Sequence, residues 1–245
     1  MDYKAEKIRP YNDKEDKTGQ VRQMFDSIAP AYDFMNRAMT FGIDKLWRKI
    51  AVNKLKRYKH DSILDVATGT GDLAICLNKN LAPSKIVGID LSQGMLDIAT
   101  KKIEAQQLQG KISFEVGDCL NLRFPDGEFD AVTVAYGVRN FEHLEQGYVE
   151  MHRVLCDGGV LCVIELSTPT NPLIKPLYKF YSSHLIPAIG KFISKDSRAY
   201  SYLPESIAAV AQGDDMLGIM KHAGFKDCAY YPLTFGVCTI YMAVK

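Results

Sequence analysis

The chain has 245 residues, 47% of them hydrophobic and 24% charged, a balance that excludes global disorder and supplies apolar residues enough for one large core. Thirty Lys and Arg against twenty-nine Asp and Glu leave a net charge of +1, so no overall field draws the protein to nucleic acid or to anionic lipid.

Residues 1–20 mix charges of both signs, contain no apolar core of the signal-peptide kind, and are expected to form a flexible lead-in. From residue 21 to about residue 60, apolar residues recur at helical spacing (Met24, Phe25, Ile28, Phe34, Met35, Leu46, Trp47, Ile50). Breaks at Ala29-Pro30 and Phe41-Gly42 divide this stretch into two or three helices ahead of a sheet. A short apolar run over 62–67 then ends in a glycine turn and leads into a helix over 72–80. Strands over 85–89, 112–117, 129–135 and 159–165 alternate with helices over 93–107 and 144–155, which predicts a parallel sheet covered on both faces by right-handed crossovers. A Pro- and aromatic-rich insert over 169–202 precedes a last helix over 214–223, and runs over 225–232 and 236–244 read as a hairpin-like pair at the sheet edge. The expectation is a single domain over 21–245.

Six cysteines without a C-x-x-C pair read as reduced, structural thiols of a cytoplasmic protein. No apolar stretch reaches the roughly 18 residues that cross a bilayer, since lysines interrupt even the stretch from Pro172 to Ile193.

The most informative segment is Ile63-Leu64-Asp65-Val66-Ala67-Thr68-Gly69-Thr70-Gly71-Asp72, a strand running through a glycine turn into a helix. Gly69 and Gly71 let the backbone turn tightly against a ligand whose anionic end faces backbone N–H groups and the helix N-terminus. The same glycines fit the dinucleotide fingerprint G-x-G-x-x-A, so other residues must choose the cofactor. Asp65, at the strand end, can order the turn and accept bonds from the amino group of S-adenosylmethionine (SAM), where a pyrophosphate would be repelled; its plainer reading is a turn cap. Asp90 ends the second strand and can accept both ribose hydroxyls of an adenosine, or merely cap the helix that follows. After the third strand, Asp118 can accept the adenine amino proton while the Cys119 amide donates to a ring nitrogen, a spacing that favours SAM over a nicotinamide cofactor.

With these residues the chain resembles the menaquinone and ubiquinone biosynthesis C-methyltransferases of the demethylmenaquinone methyltransferase type. The resemblance runs from Val21 to the C-terminus and is most specific in Met24-Phe25-Asp26-Ser27-Ile28-Ala29-Pro30-Ala31-Tyr32-Asp33, Phe41-Gly42-Ile43-Asp44, Trp47-Arg48, Tyr136-Gly137-Val138-Arg139-Asn140 and Pro172 through Ile207. It implies a class I SAM-dependent methyltransferase fold, doubly wound around a mostly parallel seven-stranded sheet with a reversed C-terminal strand. It places SAM contacts on Thr70, Asp90, Asp118 and Cys119. Two departures are visible: Ala67 stands where the generic turn has its first glycine, and Ala135 where ubiquinone-type members carry serine.

The activity implied is methyl transfer from SAM to a ring carbon of demethylmenaquinol, a polyprenylated quinol, with no metal. Arg139 and Asn140 fall at the carboxyl edge of the sheet, where open α/β folds bind ligands. Arg139 holds its proton above pH 12 and is suited to stabilise a phenolate rather than to act as a base. His184 is the first candidate base and His143 the second. Tyr32, Tyr200 and Tyr202 are candidate pocket walls. The insert, with Lys175, Lys179 and Lys191 among its apolar residues, reads either as a lid in transient contact with a membrane surface or as a buried helical hairpin. Remaining alternatives are an O-methyltransferase of a small phenol, a SAM-binding protein without catalysis and an NAD-dependent reductase. Homodimerisation is left open.

Overall fold

A computed structural model describes residues 3–12, 14–185 and 197–245. Helices α1 (Lys4–Lys7), α2 (Lys17–Thr40) and α3 (Asp44–Leu55) precede the sheet. Then follow β1 (Ser62–Val66), α4 (Asp72–Leu81), β2 (Lys85–Asp90), α5 (Gln93–Ala105), β3 (Ile112–Val116), β4 (Phe129–Ala135), α6 (Leu144–Val154) and β5 (Leu155–Leu166). The C-terminal part holds α7 (Ile174–Phe180), α8 (Ser197–Ala209), α9 (Asp214–His222), β6 (Lys226–Leu233) and β7 (Cys238–Val244).

The seven strands lie in the order β3-β2-β1-β4-β5-β7-β6. Every pair from β3 to β5 is parallel, with Leu64 facing Val87 on one side and Val132 on the other. β7 is antiparallel to both β5 and β6, so the expected reversed C-terminal strand is present, seated inside the edge strand β6. Side chains alternate between the faces of a strand, and the core splits accordingly. Leu64, Val66, Val132, Val134, Leu161 and Val163 pack on one face against α6 and α9 through Tyr148, Met151 and Met220. Ile63, Ala131, Cys162 and Ile164 pack on the other against α3 and α4 through Trp47, Val52, Leu55 and Leu77.

Four sequence expectations are corrected. The Ala29-Pro30 step does not break α2, because Pro30 lies on the exposed side while Met24, Ile28, Ala29 and Met35 are buried together against α5. Burial of that stripe outweighs the roughly 3 kcal/mol a helical proline costs. The break at Phe41 is real, with Phe41 left-handed at φ 51°. β5 starts at Leu155 rather than at residue 159, since Leu155 pairs with Phe129 and Val160 with Ala131, and residues 156–159 bulge within one strand.

The flexible lead-in over 1–20 is the third correction. Ala5 is buried, the Tyr3 hydroxyl donates to Glu145 (3.2 Å), and Glu6 accepts the first amide of α6 (2.7 Å). The wholly buried Lys17 ammonium donates to the carbonyls of Ala5, Arg139 and Phe141 at 2.7, 3.0 and 3.2 Å. The mixed charges that read as a solvated tail are partners for unpaired backbone groups elsewhere in the fold, as buried polar groups require. Fourth, α7 has no buried residue, which removes the buried-hairpin reading for that part of the insert. Lys191 and residues 186–196 lie outside the described residues.

Candidate active site

The glycine turn after β1 and the ends of β2, β3 and β4 enclose a cleft of about 690 Å³ at the carboxyl edge of the sheet. Gly69, Asp90, Asp118, Cys119 and Asn140 line it, together with Thr18, Arg22 and Phe25 of α2. Gly69 sits at φ 55°, where an L side chain is strained. Ala67 is left-handed as well, at φ 51°, and its methyl has room because Gly137 lies opposite: a Cβ on Gly137 would meet that of Ala67 at 2.7 Å. Ala135 lines the same cleft and offers only a methyl group.

Asp90 clamps the turn. One carboxylate oxygen accepts the Gly69 amide at 2.8 Å and the other the Ser92 amide at 2.9 Å. Burial raises its pKa, against the pull of those amides. Asp118 accepts the Leu120 amide at 2.9 Å. A carboxylate oxygen has two lone pairs, so both groups keep acceptor capacity on the cleft they line. Burial raises the Cys119 thiol well above its ordinary pKa, which keeps it neutral and leaves its backbone as the polar feature.

Asp65 and Thr70 line an adjoining recess that shares Tyr32, Ala67, Gly69, Ala135 and Tyr136 with the cleft. Asp65 accepts the Thr68 and Thr133 hydroxyls, each at 2.6 Å, and burial lifts its pKa to about 6. It orders the turn, each of its oxygens accepting one threonine hydroxyl. The Thr70 hydroxyl donates to Asp33 (2.6 Å) and accepts from Lys102 (3.0 Å). Gly71 packs on Phe114, and its Cβ would lie 2.8 Å from that ring.

A second and larger cavity, about 1220 Å³, adjoins the first. Its walls come from α2, α3, α7 and α8 with the turns after β4 and β6, and are apolar except for Arg48, Asp44, Arg139 and a few hydroxyls and one amide. Among the described residues, the two cavities share two lining residues, Tyr32 and Tyr136. Arg139 is buried beside Glu165, with Nη1 to Oε1 at 2.8 Å, and also donates to the Tyr136 carbonyl. Burial works against its charge, but Glu165 together with Tyr32 and Tyr202 outweighs that and raises its pKa further. Asn140 lies on the same turn, where its Oδ1 accepts the Tyr202 hydroxyl at 3.1 Å.

His184 does not join this site. It is exposed, stacked on Phe180 at 5.0 Å, and lines neither cavity. His143 is exposed at the start of α6. A helical turn outside the chamber cannot deliver an imidazole to its wall, and the geometry leaves the histidine assignment without support. Sequence reasoning missed Glu165, Lys17 and Arg48. Glu165 did carry a signal: a carboxylate closing the apolar run Val160–Ile164, at the strand end where α/β sheets place ligands.

The profile of the ubiE/COQ5 methyltransferase family matches residues 12–245. The chain is similar to the demethylmenaquinone methyltransferase of Bacteroides fragilis, 47% identical over the whole of both chains. It is 44% identical to that of Porphyromonas gingivalis over 98% of each chain. The ubiquinone/menaquinone biosynthesis C-methyltransferase of Geotalea daltonii is 42% identical, covering 94% of this chain and 98% of its own. Among solved structures, the [4+2]-cyclase SpnF superposes with a TM-score of 0.69 at 16% identity, over 93% of this chain and 96% of its own. A SAM-dependent methyltransferase of Thermotoga maritima does so with 0.65 at 19%, over 91% and 99%; at these identities the likeness concerns the fold.

Proposed function

The chain belongs to the ubiE/COQ5 methyltransferase family, and from that premise we propose that it transfers a methyl group from SAM to the free ring carbon of demethylmenaquinol, giving menaquinol. The observation that carries this reading is the buried Arg139–Glu165 pair on the wall of an apolar chamber that meets the cofactor cleft at Tyr32 and Tyr136. A dinucleotide reductase keeps only the glycine turn and Asp90 in its support, and both serve SAM equally.

The cleft fits SAM. Asp90 would take the ribose hydroxyls, Asp118 the adenine amino group and the Cys119 amide a ring nitrogen, with Gly69 allowing close backbone approach. When bound, SAM would supply a methyl on a sulfonium; the sulfur–carbon bond breaks as the ring carbon takes the methyl, and the ring hydrogen then leaves as the proton that restores the hydroxyl. One proton, the one given up in forming the phenolate, is thereby released to solvent. Arg139 would hold the quinol oxygen as phenolate, which pushes electron density onto that carbon, acting as a fixed charge rather than a base. Glu165 holds the guanidinium in place, and Tyr202 orients Asn140. The apolar walls exclude water and keep carbon, methyl and sulfur in line.

The isoprenoid tail would leave through the chamber mouth, where Phe41, Leu177 and Phe235 stand 76%, 68% and 75% exposed. Leu173 and Phe180 extend this rim, and Lys175 and Lys179 are exposed beside it. We read it as the surface that rests on the inner face of the cell membrane, apolar side chains in the acyl boundary and lysines at anionic headgroups. No helix among the described residues is long and apolar enough to cross a membrane. The six free thiols favour a cytoplasmic setting.

The test is incubation of the purified protein with SAM and short-tailed demethylmenaquinol under reducing conditions, with the new methyl located by NMR. A methyl on ring carbon is expected; one on oxygen would establish O-methylation instead.

A further inference from the structure

Among the described residues, two buried side-chain atoms able to hydrogen bond have no partner: the Tyr136 hydroxyl and Arg139 Nε. Both residues line the large chamber. A buried donor without a partner destabilises the fold, so a fold that keeps two on one wall holds them for something that enters. Arg139 already has a part in the reading above. Tyr136 does not, and its setting is unusual.

Tyr136 is one of the two residues common to chamber and cofactor cleft, the partition across which a methyl group must pass. Its backbone is left-handed at φ 59°, a conformation strained for a bulky L residue. That conformation is held at both ends. The Tyr136 amide donates to the Ile164 carbonyl at 2.7 Å, and its carbonyl accepts from the Arg139 guanidinium, itself fixed by Glu165. The aromatic ring and the guanidinium are thus set by one turn, each with an unused donor.

We propose that the Tyr136 hydroxyl donates to one oxygen of the bound quinol while Arg139 Nε takes the other, so that the two donors fix the ring of a 1,4-dihydroxyarene against the cofactor cleft. Tyr136 is then a positioning and specificity-determining residue. Burial raises the phenol well above its ordinary pKa, which keeps it a donor throughout the neutral range. A ligand with one ring oxygen would satisfy one donor and leave the other unpaired, a penalty that selects quinols over simple phenols. The inference rests on the quinol reading above.

The test is Tyr136→Phe, which removes one oxygen and keeps the ring. Wild type and variant are compared for kcat/KM with short-tailed demethylmenaquinol, inhibition by the oxidised quinone, SAM affinity by calorimetry, and Tm. The expected result is a 10- to 100-fold loss in kcat/KM and a matching rise in the inhibition constant. SAM affinity should stay within about twofold, and Tm should be equal or higher because a dry, unpaired hydroxyl has gone. If wild type methylates demethylmenaquinol and the variant matches it in kcat/KM and inhibition, the function stands and the Tyr136 inference falls. A loss accompanied by lower Tm and weaker SAM binding would also overturn it, since Tyr136 would then act through packing. If wild type leaves demethylmenaquinol unmethylated, the reading of function itself falls and takes the inference with it.

Discussion

The cofactor cleft is made largely by short segments at the ends of β1, β2, β3 and β4, each close in sequence to the strand that positions it. The chamber beside it takes its walls from α2, α3, α7, α8 and the turns after β4 and β6, segments spread from Tyr32 to Val237. The cleft is held by carboxylates that accept nearby amides, as Asp90 does from Gly69 and Ser92. The chamber depends on a buried ion pair and on long-range packing. Damage to the cleft should therefore appear in ligand affinity, and damage to the chamber in stability and turnover together.

The sharpest way to break that contrast is Glu165→Gln. It leaves the Arg139 charge buried without its counter-charge, and a loss of about 3–5 kcal/mol in urea denaturation is expected, with collapse of kcat and little change in SAM affinity. A variant as stable as wild type would show that the chamber does not depend on this pair.

Asp65 links the regions from beneath the turn. The folded protein holds its proton up to about pH 6, whereas the unfolded chain releases it near 3.8. Between those values the folded state binds more protons, so this group's stabilisation is full below pH 3.8 and fades as pH rises through 6. The shift corresponds to at most about 3 kcal/mol. Denaturation of Asp65→Asn from pH 4 to 7 should show a flatter profile than wild type; parallel profiles would mean that Asp65 ionises normally.

Asp90→Asn probes the cleft alone. Loss of a charged acceptor should weaken SAM binding by about 1.5–3 kcal/mol, roughly 10- to 150-fold by calorimetry, while KM for the quinol stays near wild type. An equal rise in both would erase the distinction between the two cavities. The smallest effect is expected at the rim: Lys179→Gln should lower partitioning onto anionic vesicles about fivefold, from about 1 kcal/mol per lysine near the surface. Unchanged partitioning with both Lys175 and Lys179 replaced would remove the membrane reading.

The difference between the regions also explains what could be read in advance. Strand and helix positions, the glycine turn, Asp90, Asp118 and Cys119 were legible because each signal is local: alternation of period two, spacing near 3.6, glycine where φ turns positive. Arg139 and Asn140 were legible as a pair after β4, but the partner that holds Arg139 lies 26 residues on. Pro30 was misjudged because a local cost was weighed without the α5 surface that offsets it. His184 was favoured on intrinsic pKa, a property of the residue type, when placement decides whether an imidazole reaches a substrate.

The sequence by itself determined the α/β class, the hairpin-like pair at the sheet edge, the cofactor turn and its carboxylates, since these follow from periodicity and turn chemistry over a few residues; the reversed last strand came from the family resemblance. Tertiary structure alone decided that Lys17 reaches the carbonyls of Arg139 and Phe141, that Glu165 neutralises Arg139, and that Tyr32 and Tyr136 divide two cavities. The physical reason is desolvation: which charges are removed from water, and which donors are left unpaired, depends on what packs over them, and that is set by chain segments far apart in sequence, 26 residues for Glu165 and Arg139 and 122 for Lys17 and Arg139.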